Sequence, residues 1–381
     1  MNSISDAKLS ELKLKLADLF VQRESEITAV LSGLLAGEPV ILIGDVGTAK
    51  TILIEKMAEL IDAKYFYYLL TRFTEPDEIL GPLDINALRE GKYVRRVEGR
   101  LPEAEIVFLD EVFKASSAIR NILLDIILNR RYRGGDGFVE LPMLTMYTAS
   151  NEVSSDSEDS AFYDRLTVRC FVKSVSEDGW SELIEKGTVL EDLKLRPIIG
   201  VKEVRELQKL VMDRFKKLPE SRVVQIYLDA LASLKQKGVK ISDRRKIKLL
   251  KIASAISVIY GEKEVSPDSL AEALRFVAVH DEDDVRKVDQ VIFELGLSSY
   301  YKHIQRIQTV NSELQNAIKL TKSGGIDELK MLSTICNRAN EMLEDLPDNP
   351  RLMPYIRQLK GSIHRAKDIL DRKKAEIFGS L

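Results

Sequence analysis

An α/β core, a parallel sheet flanked by helices, followed by an all-helical remainder is the fold class that this 381-residue sequence predicts. Three observations predict it. The apolar run Pro39-Val40-Ile41-Leu42-Ile43 leads directly into Gly44-Asp45-Val46-Gly47-Thr48-Ala49-Lys50-Thr51. A second run, Ile106-Val107-Phe108-Leu109, ends in Asp110-Glu111. From Val201 onward, amphipathic segments follow one another with no strand pattern between them. Short apolar runs bounded by turn residues fit strands buried on both faces, whereas apolar residues recurring at helical spacing fit helices.

The first run and its loop carry the chemistry. A strand that turns sharply into a helix leaves several backbone N–H groups without intrahelical partners, all pointing at whatever sits over the turn, and phosphate suits them. Lys50 would set a point charge on the β- and γ-phosphates and Thr51 a hydroxyl on Mg²⁺. Asp110 would hold the water shell of that ion, and Glu111 would polarise an attacking water. The strict phosphate-loop pattern asks for Gly just before the Lys, where this chain has Ala49, so the loop alone also fits an ordinary strand-to-helix turn. The apolar strand ending in Asp-Glu decides for hydrolysis of a nucleoside triphosphate, with ATP and Mg²⁺ as the ligands.

Composition bounds the rest. A chain of this length is expected to form several domains, and 45% hydrophobic content lets each close a core. Lys plus Arg number 57 against 60 for Asp plus Glu, so no global field draws the chain onto nucleic acid or anionic lipid. The two cysteines, Cys170 and Cys336, and the three histidines lack metal-type spacing, which fits a reducing, cytoplasmic setting. No leader and no run of about eighteen apolar residues is visible, so neither export nor membrane insertion is expected.

In chain order, residues 9–31 predict one helix beside the nucleotide, stopped by Gly33 and by Gly37-Glu38-Pro39. After the loop come a helix through Ile61 and a buried strand, Tyr65-Phe66-Tyr67-Tyr68-Leu69-Leu70. Within residues 71–100, Leu83-Asp84-Ile85 and Lys92-Tyr93-Val94-Arg95-Arg96-Val97 flank Arg89-Glu90-Gly91 and predict a β-hairpin with a glycine turn. A second hairpin is expected from Arg131-Tyr132-Arg133 through Gly134-Gly135-Asp136-Gly137 to Phe138-Val139-Glu140-Leu141, ahead of a core strand, Leu144-Thr145-Met146-Tyr147-Thr148-Ala149.

That strand ends in Ser150-Asn151-Glu152, at the sheet edge where open α/β folds bind ligands. Asn151 would orient the lytic water or touch the γ-phosphate; the alternative is a cap on the next loop. Arg165, with Arg169 in reserve, is a candidate finger reaching a neighbour's γ-phosphate, unless it pairs with Asp164 or a surface acid. Four helices are expected over 201–215, 222–237, 243–260 and 267–279. The third opens with Ser242-Asp243-Arg244-Arg245, and cations at a helix N-terminus cost energy unless an anion compensates. A γ-phosphate from the main domain would do so through Arg244; pairing with nearby acids is the alternative. Further helices follow, broken at Ser323-Gly324-Gly325 and Leu346-Pro347-Asp348-Asn349-Pro350, and the basic residues from Arg351 onward read as a solvated face, with a partner surface or a weak nucleic-acid patch as the alternatives. The divisions expected are a nucleotide-binding core over 1–190, an all-α lid over 191–282 and a helical extension over 283–381.

The runs Thr71-Arg72-Phe73-Thr74-Glu75-Pro76-Asp77-Glu78, Gly81-Pro82-Leu83 and Leu101-Pro102-Glu103-Ala104-Glu105-Ile106-Val107-Phe108-Leu109-Asp110-Glu111 resemble the MoxR branch of the AAA+ ATPases, and within it the regulatory ATPase variant A group. The resemblance covers about residues 10 to 280 and includes the Ala49 form of the loop. It implies an AAA+ P-loop core with helix 2 and pre-sensor 1 hairpin inserts. Walker A then falls on residues 44–51, Walker B on Asp110 and Glu111, sensor 1 on Asn151, the arginine finger on Arg165 and sensor 2 on Arg244. It further implies a hexameric ring acting as a chaperone-like remodelling or maturation motor on a protein client, with a partner bearing a von Willebrand factor A domain. Two other readings stay open. Arg95, Arg96, Arg130, Arg131 and Arg133 could track nucleic acid in a DNA-translocating ATPase, although the net charge of −3 weighs against it. Nucleotide could instead switch a structural scaffold, although Glu111 is then without a use.

Overall fold

The apolar runs that precede Gly44 and end at Asp110 are strands of one sheet. A computed structural model of the chain describes residues 3–134, 137–153, 157–190, 192–321 and 326–378. Its strands are β1 (Val40–Ile43), β2 (Tyr65–Leu69), β3 (Ile106–Asp110), β4 (Arg131–Gly134), β5 (Gly137–Glu140), β6 (Thr145–Ser150) and β7 (Val168–Phe171). Five of them form a parallel sheet in the order β2-β3-β6-β1-β7, and β4 and β5 form a separate antiparallel hairpin.

Alternation along each central strand divides its residues between two cores. Val40, Leu42, Ile106, Phe108 and Tyr147 face one, while Ile41, Ile43, Val107, Leu109 and Met146 face the other. Burial on both faces is what makes these strands continuous apolar runs. The first core continues through the helices Val201–Lys217, Val223–Gln236, Asp243–Ile259, Pro267–Val277 and Glu282–Glu294, so sheet and helices share one hydrophobic interior. The chain clusters into two compact units, Met1–Val175 with Glu182–Leu297, and Ser176–Ser181 with Ser298–Leu381. Among the described residues the second unit holds the α-helices Tyr301–Leu320, Ile326–Glu344 and Met353–Phe378 around its own core of Leu314, Leu332, Ala339, Leu359 and Ala366. Arg351, expected on a solvated face, is instead 6% exposed, near the Tyr300 ring. Among the described residues no helix is long and apolar enough to cross a membrane.

Several expectations change. Residues 9–31 are not one helix but parts of two, Ser3–Leu19 and Glu24–Ala36, separated at Gln22, which takes φ 55°. The apolar spacing runs through the break, so the pattern hides it. Gly33 does not stop the second helix; a Cβ there would lie 2.1 Å from Val40 Cγ2, so glycine permits helix and strand to approach. The stop is Gly37, at φ 61°. Strand β2 is an edge strand with Tyr67 and Leu69 exposed, not a buried one. Between residues 83 and 95 a single antiparallel bridge joins Leu83 to Arg95, but the connection is a short helix, Ile85–Arg89, followed by the turn at Gly91, φ 79°, rather than a glycine turn alone. Asp84 makes the difference, because its carboxylate accepts from the N–H groups of Asn86 and Ala87 and so caps that helix. Of the second hairpin, Gly135 and Asp136 lie outside the described residues, as does Ser323-Gly324-Gly325.

Glu38 fastens the helical region to the sheet. It precedes β1 and is 6% exposed. Its carboxylate accepts from Lys248, from Lys251 Nζ at 2.9 Å and from Thr167 Oγ1 at 3.1 Å. Burial pushes its pKa up, but the two ammonium groups outweigh that and leave it below the ordinary value. A carboxylate with a depressed folded pKa stabilises above its unfolded value of 4.5, and the contribution disappears as pH falls through the lower folded value. Glu38→Gln, which leaves two buried-side ammonium groups unpaired, is expected to cost about 3 kcal/mol at neutral pH. Denaturant titrations at a series of pH values should find that gap narrowing below pH 4.5.

Candidate active site

Strand β1 delivers the phosphate-type loop, and the helix Lys50–Ile61 begins where it ends. Gly44 is pressed against the neighbouring strand's exit: a Cβ there would lie 2.2 Å from the carbonyl oxygen of Val172. Ala49 precedes the helix in the left-handed conformation, φ 64° and ψ 23°, where the strict pattern would have Gly. An L-residue costs about 1 to 2 kcal/mol there. No side chain caps this helix, so its first N–H groups face the space over the loop. The Lys50 ammonium donates to the carbonyls of Gly44 at 2.6 Å and Asp45 at 2.8 Å. Burial lowers its pKa, against the opposing pull of Asp110, Glu111 and Asp45. Thr48 Oγ1 donates to the Asp45 carbonyl at 2.8 Å and closes the loop, whose Val46 is 80% exposed.

Strand β6 lies beside β1 and β3 beside β6, all with the same direction, so their carboxyl ends open at the same edge. Asp110 ends β3. Its Oδ1 accepts from the Glu111 N–H at 2.9 Å, and burial raises its pKa. Glu111, at φ 55°, turns its side chain toward β6, where Oε1 accepts from Asn151 Nδ2 at 2.7 Å and lies 3.3 Å from Lys114 Nζ. The turn after β6 is tied by Ser150, whose hydroxyl donates to the Glu152 carbonyl and accepts from the Glu152 N–H, which leaves the Asn151 amide on Glu111. Lys50, Thr51, Asp110, Glu111 and Asn151 are thus brought to one edge.

Arg165 and Arg244 are at the other. Helix Ser157–Arg165 ends three residues before β7, whose first residue pairs with Val40, the first of β1. Arg165 therefore sits at the amino edge of the sheet, and Nη1 donates to the Ala161 carbonyl at 2.7 Å. Arg244, for which a γ-phosphate from the main domain or else a nearby acid was the expected partner, pairs here with an acid, Asp164, Nη1 to Oδ2 at 3.2 Å. Ser242 Oγ, the cap of that helix, donates to the other oxygen of Asp164 at 2.8 Å. The pairing anticipated between Arg165 and Asp164 is thus made by Arg244. Sequence reasoning did not foresee Asp164 as the partner of Arg244, and the Asp-Arg doublet was its only signal.

The reserve candidates are interior. Arg169 is 2% exposed, donates to the carbonyls of Val279 and Tyr163 at 2.7 Å each, and stacks on the Tyr163 ring at 3.6 Å. Arg245 is 3% exposed and donates to the same Val279 carbonyl at 3.2 Å; burial, then the nearby Arg169 charge, push its pKa down to about 9.

The oxygen set fits Mg²⁺. Among the described residues no three His, Cys, Asp or Glu side chains gather to cage a metal. A hydroxyl at Thr51 and one carboxylate at Asp110 are what an ion shared with nucleotide phosphates uses.

The sheet order, the strand-loop-helix carrying Lys50 and Thr51, and Asp110-Glu111 ending the strand next but one define a nucleoside triphosphatase core of the AAA+ class. Residues 7–211 match the family described as the MoxR domain in the MoxR-vWA-beta-propeller ternary systems. The chain belongs to the MoxR family of AAA+ ATPases. The description matched is that of the ternary systems, not of the regulatory ATPase variant A group. Two uncharacterized proteins of Methanocaldococcus jannaschii are each 34% identical, one over 88% of both chains and the other over 89% of this chain and 90% of its own. A structural protein of Acidianus two-tailed virus is 29% identical over 67% of this chain and 47% of its own. In fold, the chain is similar to a solved structure from Cytophaga hutchinsonii called a "putative ATPase", with a TM-score of 0.62 at 16% identity, covering 76% of this chain and 94% of that one.

The loop makes two opposite expectations. Gly44→Ala must displace the Val172 backbone and should cost about 1 to 3 kcal/mol, with nucleotide binding lost. Ala49→Gly relieves a left-handed alanine and should be neutral or stabilising by up to about 1 kcal/mol, with binding kept. Denaturant midpoints and a fluorescent-nucleotide titration of both variants check this.

Proposed function

We propose that this chain hydrolyses ATP as one subunit of a closed, head-to-tail ring, a hexamer, and remodels or matures a protein client together with a partner bearing a von Willebrand factor A domain. One observation carries the reading: Lys50, Asp110, Glu111 and Asn151 meet at the carboxyl edge of the sheet, while Arg165 and Arg244 stand at the amino edge. Residues on opposite edges cannot serve one γ-phosphate within a subunit, but repeated head-to-tail contacts bring them together and close into rings. The von Willebrand factor A partner is supported by the description of the matched family, which also names a beta-propeller protein.

Residues 44–51 cradle the triphosphate, Lys50 leaving its loop carbonyls for the β- and γ-oxygens. Bound Mg²⁺, held by Thr51 and by Asp110 through water, would supply charge neutralisation at those oxygens. Glu111 polarises the attacking water, with Asn151 fixing its carboxylate. Arg165 and Arg244 of the adjacent subunit add transition-state charge. We assign the lid to residues 191–297, beyond the sequence-based limit of 282, because helix Glu282–Glu294 packs on its helices. The free, buried thiols of Cys170 and Cys336 suit a reducing, cytoplasmic compartment.

The nucleic-acid reading keeps exposed Arg133 but finds its other arginines engaged within the chain. Arg95 pairs with Asp77 at 2.5 Å and Arg96 with Asp84 at 2.9 Å. Arg131 stacks over Phe138, and Arg130 donates to the carbonyls of Gly37 and Met143. The nucleotide-switched scaffold keeps one specific support, the viral relative called a structural protein.

ATP turnover by the purified protein, beside Glu111→Gln and with both sized by light scattering, tests the proposal. Turnover should fall at least a hundredfold in the variant, on the order seen when a transition-state contact is removed, while nucleotide still assembles a ring. Assembly without turnover in either protein would favour the scaffold.

A further inference from the structure

The acid beside the finger serves the other arginine. Successive residues of a helix point in different directions, so Asp164 and Arg165 cannot both face helix Asp243–Ile259. Asp164 does: its two carboxylate oxygens are taken by Ser242 Oγ at 2.8 Å and Arg244 Nη1 at 3.2 Å. Ser242 at the same time accepts from the Arg245 N–H at 3.3 Å, so the carboxylate holds the cap of the helix as well as its first arginine. The turn that carries Asp164 is itself fixed. Arg120 pairs with buried Asp159 at 2.7 Å one helical stretch earlier, the Tyr163 hydroxyl donates to the His280 carbonyl at 2.7 Å, and Arg169 donates to the Tyr163 carbonyl.

We propose that Asp164 is a positioning residue that holds Arg244 and Arg165 as one unit on the face received by the next copy of the chain, so that both guanidinium groups reach its γ-phosphate in a fixed relation. The proposal rests on the head-to-tail reading above. The pair is partly exposed, with Arg244 at 40% and Asp164 at 31% side-chain exposure, so it adds little to folding, and its removal is read in turnover. A misplaced arginine loses transition-state contact without changing how the neighbour binds its nucleotide.

The test uses the full-length ring and ATP. Asp164→Ala should lower kcat about tenfold with KM nearly unchanged, a smaller loss than deletion of a catalytic group. Asp164→Ala combined with Arg244→Ala should be no slower than Arg244→Ala alone, because the acid acts through that arginine. Asp164→Asn keeps an acceptor for Ser242 and should turn over at an intermediate rate with an unchanged thermal midpoint, which separates lost positioning from lost folding. Mixed with Glu111→Gln subunits, Asp164→Ala subunits should regain activity, since one supplies a working Glu111 and the other an intact Asp164. Wild-type turnover in Asp164→Ala, or additive losses in the double variant, overturns the proposal while leaving the ring reading intact. Failure of Arg165→Ala and Arg244→Ala to be rescued by Glu111→Gln subunits overturns the ring reading, and the proposal with it.

Discussion

Strand direction is the constraint on which the molecule depends. All five strands of the central sheet run the same way, so whatever follows a strand emerges at one edge and whatever precedes a strand lies at the other. The phosphate-type loop, Asp110-Glu111 and Asn151 each follow a strand. Arg165 and Glu38 each precede one. No packing detail is needed to separate Lys50, Asp110, Glu111 and Asn151 from Arg165; the parallel hydrogen-bond ladders do it, and the helices on both faces keep those ladders dry.

The helical region gains its position from the same edge. Glu38 stands at the entry to β1, and the lysines that bind it lie one turn apart on helix Asp243–Ile259. That helix begins at Ser242 and Arg244, so the ion pairs at Glu38 and the contact at Asp164 act on one rigid rod. The hydrophobic core shared by sheet and helices supplies the bulk of the attachment, and these polar contacts set its register.

The placement of the candidate site at one sheet edge was legible where chemistry demands particular residue types in sequence order. Lys50, Thr51, Asp110 and Glu111 follow apolar runs, and a strand with a polar end is readable without coordinates. The break at Gln22 was not legible, because apolar spacing continues across it and a left-handed glutamine leaves no compositional mark. The helix Ile85–Arg89 was hidden by its shortness: one capping aspartate inserts it ahead of the glycine, which still makes its turn. Arg165 and Arg169 were indistinguishable as letters. Only burial separates them: one lies at a helix end, the other is spent on carbonyls inside the protein. The partnership of Asp164 with Arg244 spans 80 positions, and no local pattern encodes it.

Arg169 and Arg245 leave one more mark on the molecule. Both guanidinium groups are buried, both donate to the carbonyl of Val279, and Arg169 is among the charges that disfavour protonation of Arg245. Two like charges confined at one acceptor repel, and low polarity around them magnifies the repulsion. Asp164 and Asp284 act in the opposite sense on both arginines, so like and opposite charges are balanced where β7 meets the helical region. Loss of either acid would leave two buried guanidinium groups as less compensated neighbours at one carbonyl.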